Sequence, residues 1–252
     1  MEFIEIDKNN LESEHICCSI ADKKGENAVA LKKAWLAERL SDGLVFRKLN
    51  ARGKVFIEYL PAEKAWVPIT APNYMYIDCF WVSGQYKGQG FANKLLEQSI
   101  EDAKAKKKDG LVVLSANKKM AFLSDPKYLK YKGFKVADTA APYFELLYLP
   151  FAEKAAVPKF KEQAKSGKSK DCGLILYFSN QCPFAEKYAH ILEDIAQKRK
   201  VTLQLNKITS LAQAQNAPTP FTTYSLFFNG DFVTNEILSE KKFLSFLEAK
   251  GL

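Results

Sequence analysis

Val82-Ser83-Gly84-Gln85-Tyr86-Lys87-Gly88-Gln89-Gly90-Phe91-Ala92 is the stretch on which the reading of this chain turns. Glycine at 84, 88 and 90 and alanine at 92 keep side chains clear, so backbone N–H groups can turn toward one point. A helix pattern follows over Phe91–Lys108, with apolar Phe91, Leu95, Leu96, Ile100 and Ala103 at helical spacing. The first N–H groups of that helix have no partner within it, and its positive dipole end faces the same point. The stretch therefore reads as an anion cradle. It is not a P-loop, because no Gly-Lys-Ser/Thr follows, and it lacks the third glycine of the dinucleotide fingerprint.

Working outward, Tyr74–Val82 reads as a long aromatic strand, and Leu44–Leu49 and Lys54–Ile69 as strands around a turn at Asn50–Gly53. Pro61 is expected to bend or end the second of these. Phe3–Ile6 reads as a strand, Ala28–Leu40 as an amphipathic helix, Leu111–Ser115 as a buried strand and Tyr143–Leu149 as a closing strand. Strands alternate with helices, so the class is α/β with a mixed sheet and flanking helices. Residues 152–171 are polar, Lys-rich and marked by Pro158 and Gly167, which predicts a solvated linker between residues 1–151 and 172–252.

Composition narrows the function. The 252 residues carry a net charge of +8, but lysine dominates and arginine is confined to Arg39, Arg47, Arg52 and Arg199. Without clustered Arg forks or aromatic platforms, a nucleic-acid partner is not expected, and an anionic small ligand accounts equally well for local basic patches. The five cysteines form no C-x-x-C pair and His15 and His190 are the only histidines, which argues against a metal site and against a secreted disulfide framework. Adjacent Cys17 and Cys18 read as buried helix residues. No apolar run approaches the roughly 20 residues that span a bilayer, and Met1–Glu5 lack the start of a signal peptide. The expected compartment is the cytoplasm, with monomer or homodimer left open.

Lys87-x-x-Gly90-x-Ala92, set between an apolar strand and an amphipathic helix, resembles the GNAT acetyltransferase signature Arg/Gln-x-x-Gly-x-Gly/Ala. The resemblance implies acetyl-CoA as co-substrate, its pyrophosphate held at Lys87, Gly88, Gln89, Gly90, Phe91 and Ala92. It also implies that the backbone of Phe80, Trp81 and Val82 meets the pantetheine arm. Lysine stands where the family has Arg or Gln, so a bidentate side-chain contact is lost. Asn117 resembles the family asparagine that contacts the cofactor arm. Tyr128-Leu129-Lys130-Tyr131-Lys132-Gly133-Phe134 resembles the Tyr-x-x-x-Gly-Phe segment, with Leu129 at the tyrosine's usual place. Tyr128 or Tyr131 could then protonate the leaving thiolate, or both could simply pack the last helix on the sheet.

Direct transfer of acetyl to an amine needs a neutral nucleophile, an oxyanion donor and a proton for the thiolate. The strand backbone near Val82 would supply the donor. Asp78 is the candidate base, because a carboxylate in an aromatic strand can have a raised pKa, and Glu58 on the neighbouring strand is the runner-up. Each could equally hold a fixed structural hydrogen bond. Cys79 alternates with Asp78 in facing and is expected in the core.

From Gly173 the order is strand, helix, strand, proline, two strands and helix, which resembles the thioredoxin fold. Cys182 falls where that family has its first active-site cysteine and Pro220 where it has its cis-proline, while Ala185 replaces the second cysteine. A thiol at a helix N-terminus predicts a lowered pKa and a reactive Cys182. The whole chain resembles the YoaP-like acetyltransferases. The sequence reading is an N-acetyltransferase acting on a small-molecule or peptide primary amine. A non-catalytic acyl-CoA-binding or sensing protein, and a thiol-linked redox protein acting through Cys182, are the alternatives.

Overall fold

The computed structural model describes residues 2–16, 19–23 and 26–252. Cys17 and Cys18 lie outside the described residues. In chain order the first part holds β1 (Phe3–Ile6), α1 (Ala28–Leu40), β2 (Val45–Leu49), β3 (Val55–Pro61), β4 (Ile69–Thr70), β5 (Tyr74–Val82) and α2 (Phe91–Ala105). It continues with β6 (Gly110–Ala116), α3 (Pro126–Tyr131), β7 (Lys135–Ala140), β8 (Phe144–Pro150) and β9 (Lys159–Phe160). The remainder is β10 (Leu174–Ser179), α4 (Pro183–Lys198), β11 (Leu203–Ile208), α5 (Leu211–Gln215), β12 (Tyr224–Phe228), β13 (Asp231–Thr234) and α6 (Glu240–Ala249). Among the described residues no helix is long and apolar enough to cross a membrane.

Seven strands form one sheet in the order β1-β2-β3-β5-β6-β8-β7, with β5 and β6 its parallel pair. Alternation along each strand divides this sheet into two apolar faces. Ile57, Met75, Ile77, Val113 and Leu147 face α2 and α3, where Leu95, Leu96 and Leu129 cover them. Phe56, Tyr76, Val112, Leu114 and Leu146 face the other way. Trp35 and Leu36 of α1 cover part of that second face. Ile175, Tyr177 and Phe227 of a second sheet, ordered β11-β10-β12-β13, belong to the same continuous core.

The segment expected to be a free linker is a packed strap. Residues 152–154 are exposed, but Phe160 and Ala164 are buried, and β9 pairs with β4 through Ile69 and Phe160. Lys165 bridges Asp138 at 3.0 Å and Glu162 at 2.9 Å. A polar composition concealed two apolar anchors in a sequence window too short to show periodicity. Three elements also escape a sequence reading: β7, half of whose residues are exposed, and the short β9 and α5. Each is held by neighbours rather than by its own pattern. The two halves meet through polar contacts as well. The Thr222 hydroxyl donates to the Trp66 carbonyl, and buried Asn235 accepts from the Tyr143 hydroxyl at 2.7 Å and donates to the Ala121 carbonyl at 2.9 Å.

Candidate active site

The site begins with a fault in the sheet. On β3 and β5, Glu58 lies opposite Cys79 and Tyr59 opposite Ile77, which leaves Asp78 as one extra residue on β5. Such a bulge bends the strand and increases its twist. The parallel ladder between β5 and β6 stops at Ile77 and Val113, while β6 continues against β8 as far as Ala116. The two strands thus part at Asp78, and the edge of Asp78–Val82 turned toward β6 opens into a wedge.

The glycine-rich stretch closes the far end of that wedge. After a 3₁₀ turn at Gly84–Tyr86, Gly88 (φ 76°) and Gly90 (φ 80°) take left-handed conformations and α2 starts at Phe91 without a side-chain cap. A Cβ added at Gly88 or Gly90 would meet nothing within 4 Å, so open space lies over the loop where an anion would sit. Aromatic anchors fix the loop from below. Phe91 is buried and meets Tyr86 edge-on at 6.0 Å and Phe3 at 6.1 Å. Phe91 is therefore a core side chain. Gln89 donates to the Gln85 carbonyl at 2.6 Å and braces the turn.

Two cavities flank Phe80 and Trp81 and share the segment Ala121–Ser124 as a wall. The first, about 420 Å³, is lined by Val82, Lys87, Ala92 and Tyr128 among others. The second, about 500 Å³, is lined by Asp78 and Cys79 and, from the C-terminal half, by Gln181, Cys182, Phe184 and Phe221. Cys79 was expected in the core. The bulge breaks the alternation at Asp78, so consecutive residues line one cavity.

The sequence candidates separate clearly here. Asp78 is half-buried; burial and the nearby Glu58 charge push its pKa up to about 7, against the opposing pull of Lys32. Glu58 is 1% exposed and bound to the equally buried Lys32 at 2.7 and 3.0 Å, with that ammonium 4.1 Å from the Trp35 ring centroid. Burial raises the Glu58 pKa and Lys32 draws it back. Removing one partner of such a pair strands the other charge, at a cost of about 3–5 kcal/mol. Glu58 is thus held in a buried pair with Lys32, and its charge is one of the causes that raise the Asp78 pKa.

Tyr128 and Tyr131 separate too. The Tyr128 hydroxyl donates to Asn93 Oδ1 at 3.2 Å, its ring packs edge-on against Phe80 at 5.9 Å, and burial pushes its pKa up to about 12. Its hydroxyl is held in place on the lining of the first cavity. Tyr131 is 83% exposed and lines neither cavity. Asp125 caps α3, accepting from the N–H groups of Lys127 and Tyr128 at 2.9 and 3.3 Å. Asn117 is exposed at the end of β6, gives its backbone N–H to the Tyr143 carbonyl at 3.0 Å and lines neither cavity. The Asn93 partner of Tyr128, Phe122 and, beside Cys182 in the C-terminal half, Gln181, Phe184 and Phe221 were not legible as site residues. Only Asn93 lies near the motif that marks the site.

Cys182 departs from its sequence reading. It caps α4, and the backbone at Phe184 and Ala185 lowers its pKa, but burial outweighs this and pushes the thiol up. Among the described residues Ala141–Pro142 is the only cis peptide bond, so the bond before Pro220 is trans. With a thiol rather than a thiolate at neutral pH, Cys182 is expected to alkylate more slowly than exposed Cys172. Mass-spectrometric ranking of iodoacetamide adducts over time checks this; a faster Cys182 would contradict it.

Comparison with known proteins gives concordant matches. Residues 11–123 match the Acetyltransferase (GNAT) family model and residues 202–244 the YoaP-like model. The chain is 47% identical over 243 residues to the uncharacterized N-acetyltransferase YoaP of Bacillus subtilis (strain 168), covering 96% of this chain and 97% of that protein. Similar solved structures include an N-acetyltransferase from Staphylococcus aureus Mu50, at 17% identity and a TM-score of 0.41, covering 60% of this chain and 100% of that one. The PaiA N-acetyltransferase from Thermoplasma acidophilum in complex with coenzyme A shows 17% identity and a TM-score of 0.40, with the same coverage.

Proposed function

Since the chain belongs to the YoaP-like N-acetyltransferases of the GNAT family, we propose that it moves acetyl from acetyl-CoA directly to a primary amine, with Asp78 as base and Tyr128 as acid. The wedge between β5 and β6, ending at the glycine-rich start of α2, carries this reading. The residues present suit a long, anionic acyl carrier. Gly88 and Gly90 leave room for the pyrophosphate against the α2 N-terminus, and Lys87 adds a cation at the mouth. The released edge of Phe80–Val82 offers N–H and C=O groups to an amide-bearing arm. Acetyl-CoA brings the activated thioester.

Asp78 takes a proton from the arriving ammonium, directly or through water, and leaves a neutral nitrogen with a lone pair. A base with a pKa of about 7 is half ionised near neutrality, which suits that exchange. The N–H groups of the splayed strand near Val82 stabilise charge on the carbonyl oxygen as the amine adds. Tyr128, whose raised pKa keeps it protonated, donates to the sulfur as the C–S bond breaks. The second proton that the nitrogen sheds as the amide forms restores the tyrosine, while Asp78 releases its own proton to solvent. The path needs no thiolate, and the raised Cys182 pKa weighs against a redox role for that residue.

For the remaining segment we favour a thioredoxin-like module over residues 172–252, following residues 1–151 in sequence. The order β11-β10-β12-β13, with β10 and β11 parallel around α4, supports this. We also propose a cytoplasmic setting and a small-molecule or peptide amine as acceptor.

Calorimetry with CoA tests the reading, since saturating ligand at one hundred times its dissociation constant should add about 2.7 kcal/mol of stability. Gly90→Val is expected to weaken CoA binding by at least about tenfold, or roughly 1.4 kcal/mol. The valine would occupy the anion's space and strain a backbone held at φ 80°. Absence of CoA binding by the parent chain would overturn the proposal.

A further inference from the structure

The second cavity asks for a ligand of its own. Its N-terminal wall is the reactive strand at Asp78–Trp81, while Gln181, Cys182, Phe184, Phe221 and Thr223 form the wall opposite. Those residues come from the start of α4 and the turn before β12, which the shared core holds against the first sheet. Phe122 lies over both cavities with a left-handed backbone (φ 63°), an unfavourable conformation for a bulky side chain. Its segment is tied to the C-terminal half by the bond from Asn235 to the Ala121 carbonyl. Phe122 is 44% exposed and Trp81 45%, so two large aromatic rings stand open at one site.

We propose that the C-terminal half forms the acceptor side of the transfer cavity, and that the acceptor is a primary amine carried on a flat aromatic body. The proposal rests on the acetyltransferase reading of the cleft and adds its substrate class. Five aromatic side chains line this cavity: Phe80, Trp81, Phe122, Phe184 and Phe221. Aromatic walls favour edge-on or offset contact with a ligand ring. The charged side chains in the lining are Asp78 and Lys54 alone. A polyamine or aminoglycoside would bring several ammonium groups to one carboxylate and one lysine, leaving the excess charge uncompensated in an apolar space. A single ammonium, placed at Asp78 with its ring among the phenylalanines, matches both the charge and the surface. A volume of about 500 Å³ admits such an arylalkylamine.

The test uses the full chain with saturating acetyl-CoA and follows CoA thiol release with tryptamine, phenethylamine, spermidine and kanamycin. The arylalkylamines are expected to give kcat/KM at least about tenfold above the polycations. Phe184→Ala and Phe221→Ala should each raise the tryptamine KM about tenfold with little change in kcat, because they remove binding common to ground and transition states. The CoA dissociation constant should not move. Thr223→Trp, which fills the cavity without removing a core ring, should suppress turnover while CoA still binds; melting curves confirm that each variant folds. Preference for a polycation, no turnover of either arylalkylamine, or an unchanged tryptamine KM in both alanine variants overturns the inference while CoA binding stands. Loss of CoA binding by the parent chain overturns it together with the acetyltransferase reading.

Discussion

Asp78→Asn is expected to lower kcat/KM for the amine by about 10²–10⁴-fold, the usual contribution of a positioned base, while CoA affinity is unchanged. The substitution keeps shape and removes the proton acceptor. It also removes a half-buried negative charge beside Glu58, so the melting temperature should not fall. The pH profile makes the test specific. Burial and Glu58 raise the Asp78 pKa to about 7, so below that pH the base carries its proton and cannot take another from the ammonium. Log kcat/KM should therefore climb with unit slope up to about pH 7 and then level with respect to this group. Deprotonation of the amine in solution removes the ammonium that Asp78 receives, so the profile should fall again above the amine's own pKa, which follows the chosen substrate. In Asp78→Asn the limb near 7 should vanish and turnover should rise only with the free-amine fraction. An intact limb in the variant would assign it to another group and remove Asp78 from the mechanism.

The second large effect is structural. A fragment of residues 1–152 is expected to lack a cooperative native transition and to bind the dye ANS, although its sequence reads as a self-contained domain. In the full chain Phe144 is 1% exposed, with the Phe232 ring 5.5 Å away, and Phe227 lies 5.5 Å beyond. Tyr143 meets the same ring at 6.0 Å and gives its hydroxyl to Asn235. Only Tyr143 and Phe144 of these rings belong to the fragment. Exposing two large side chains of this kind forfeits about 3–6 kcal/mol, a large share of a typical domain's stability of about 5–15 kcal/mol. The strap between Ala152 and Asp171 adds to the loss, since its Phe160 pairs with Ile69 across β4 and β9. Calorimetry and near-ultraviolet circular dichroism of the purified fragment decide the matter. A sharp melt near that of the full chain would show that the face in question is covered without the C-terminal half.

The two predictions divide the molecule along the line between local and distant information. The cradle at Gly84–Ala92 was legible because everything it needs is adjacent in sequence: a strand end, glycines free to take positive φ, and a helix start. Helix α1 and strand β5 keep the bounds read from their patterns, Ala28–Leu40 and Tyr74–Val82, because long periodic segments determine their own class. Asp78 ranked ahead of Glu58 in sequence, but both were acids in apolar strands and no local pattern gave either a partner. Pairing decided between them, since Lys32 reached Glu58 from α1 while the register slip left Asp78 on the opened edge. Tyr128 and Tyr131 lie on one short helix, and only its packing on the sheet half-buries the first and exposes the second.

Cys182 was misread for the same reason. A helix N-terminus by itself lowers a thiol pKa, and no local pattern discloses a neighbouring sheet that buries the sulfur. What the sequence determined by itself was an anion cradle, an α/β order and a set of acids and tyrosines, each encoded within a few turns of chain. The tertiary structure alone decided which of those groups share a cavity, and that residues 172–252 supply its second wall. Burial and strand register depend on segments more than a hundred residues apart, such as Ala121 and Asn235, and no local spacing carries them.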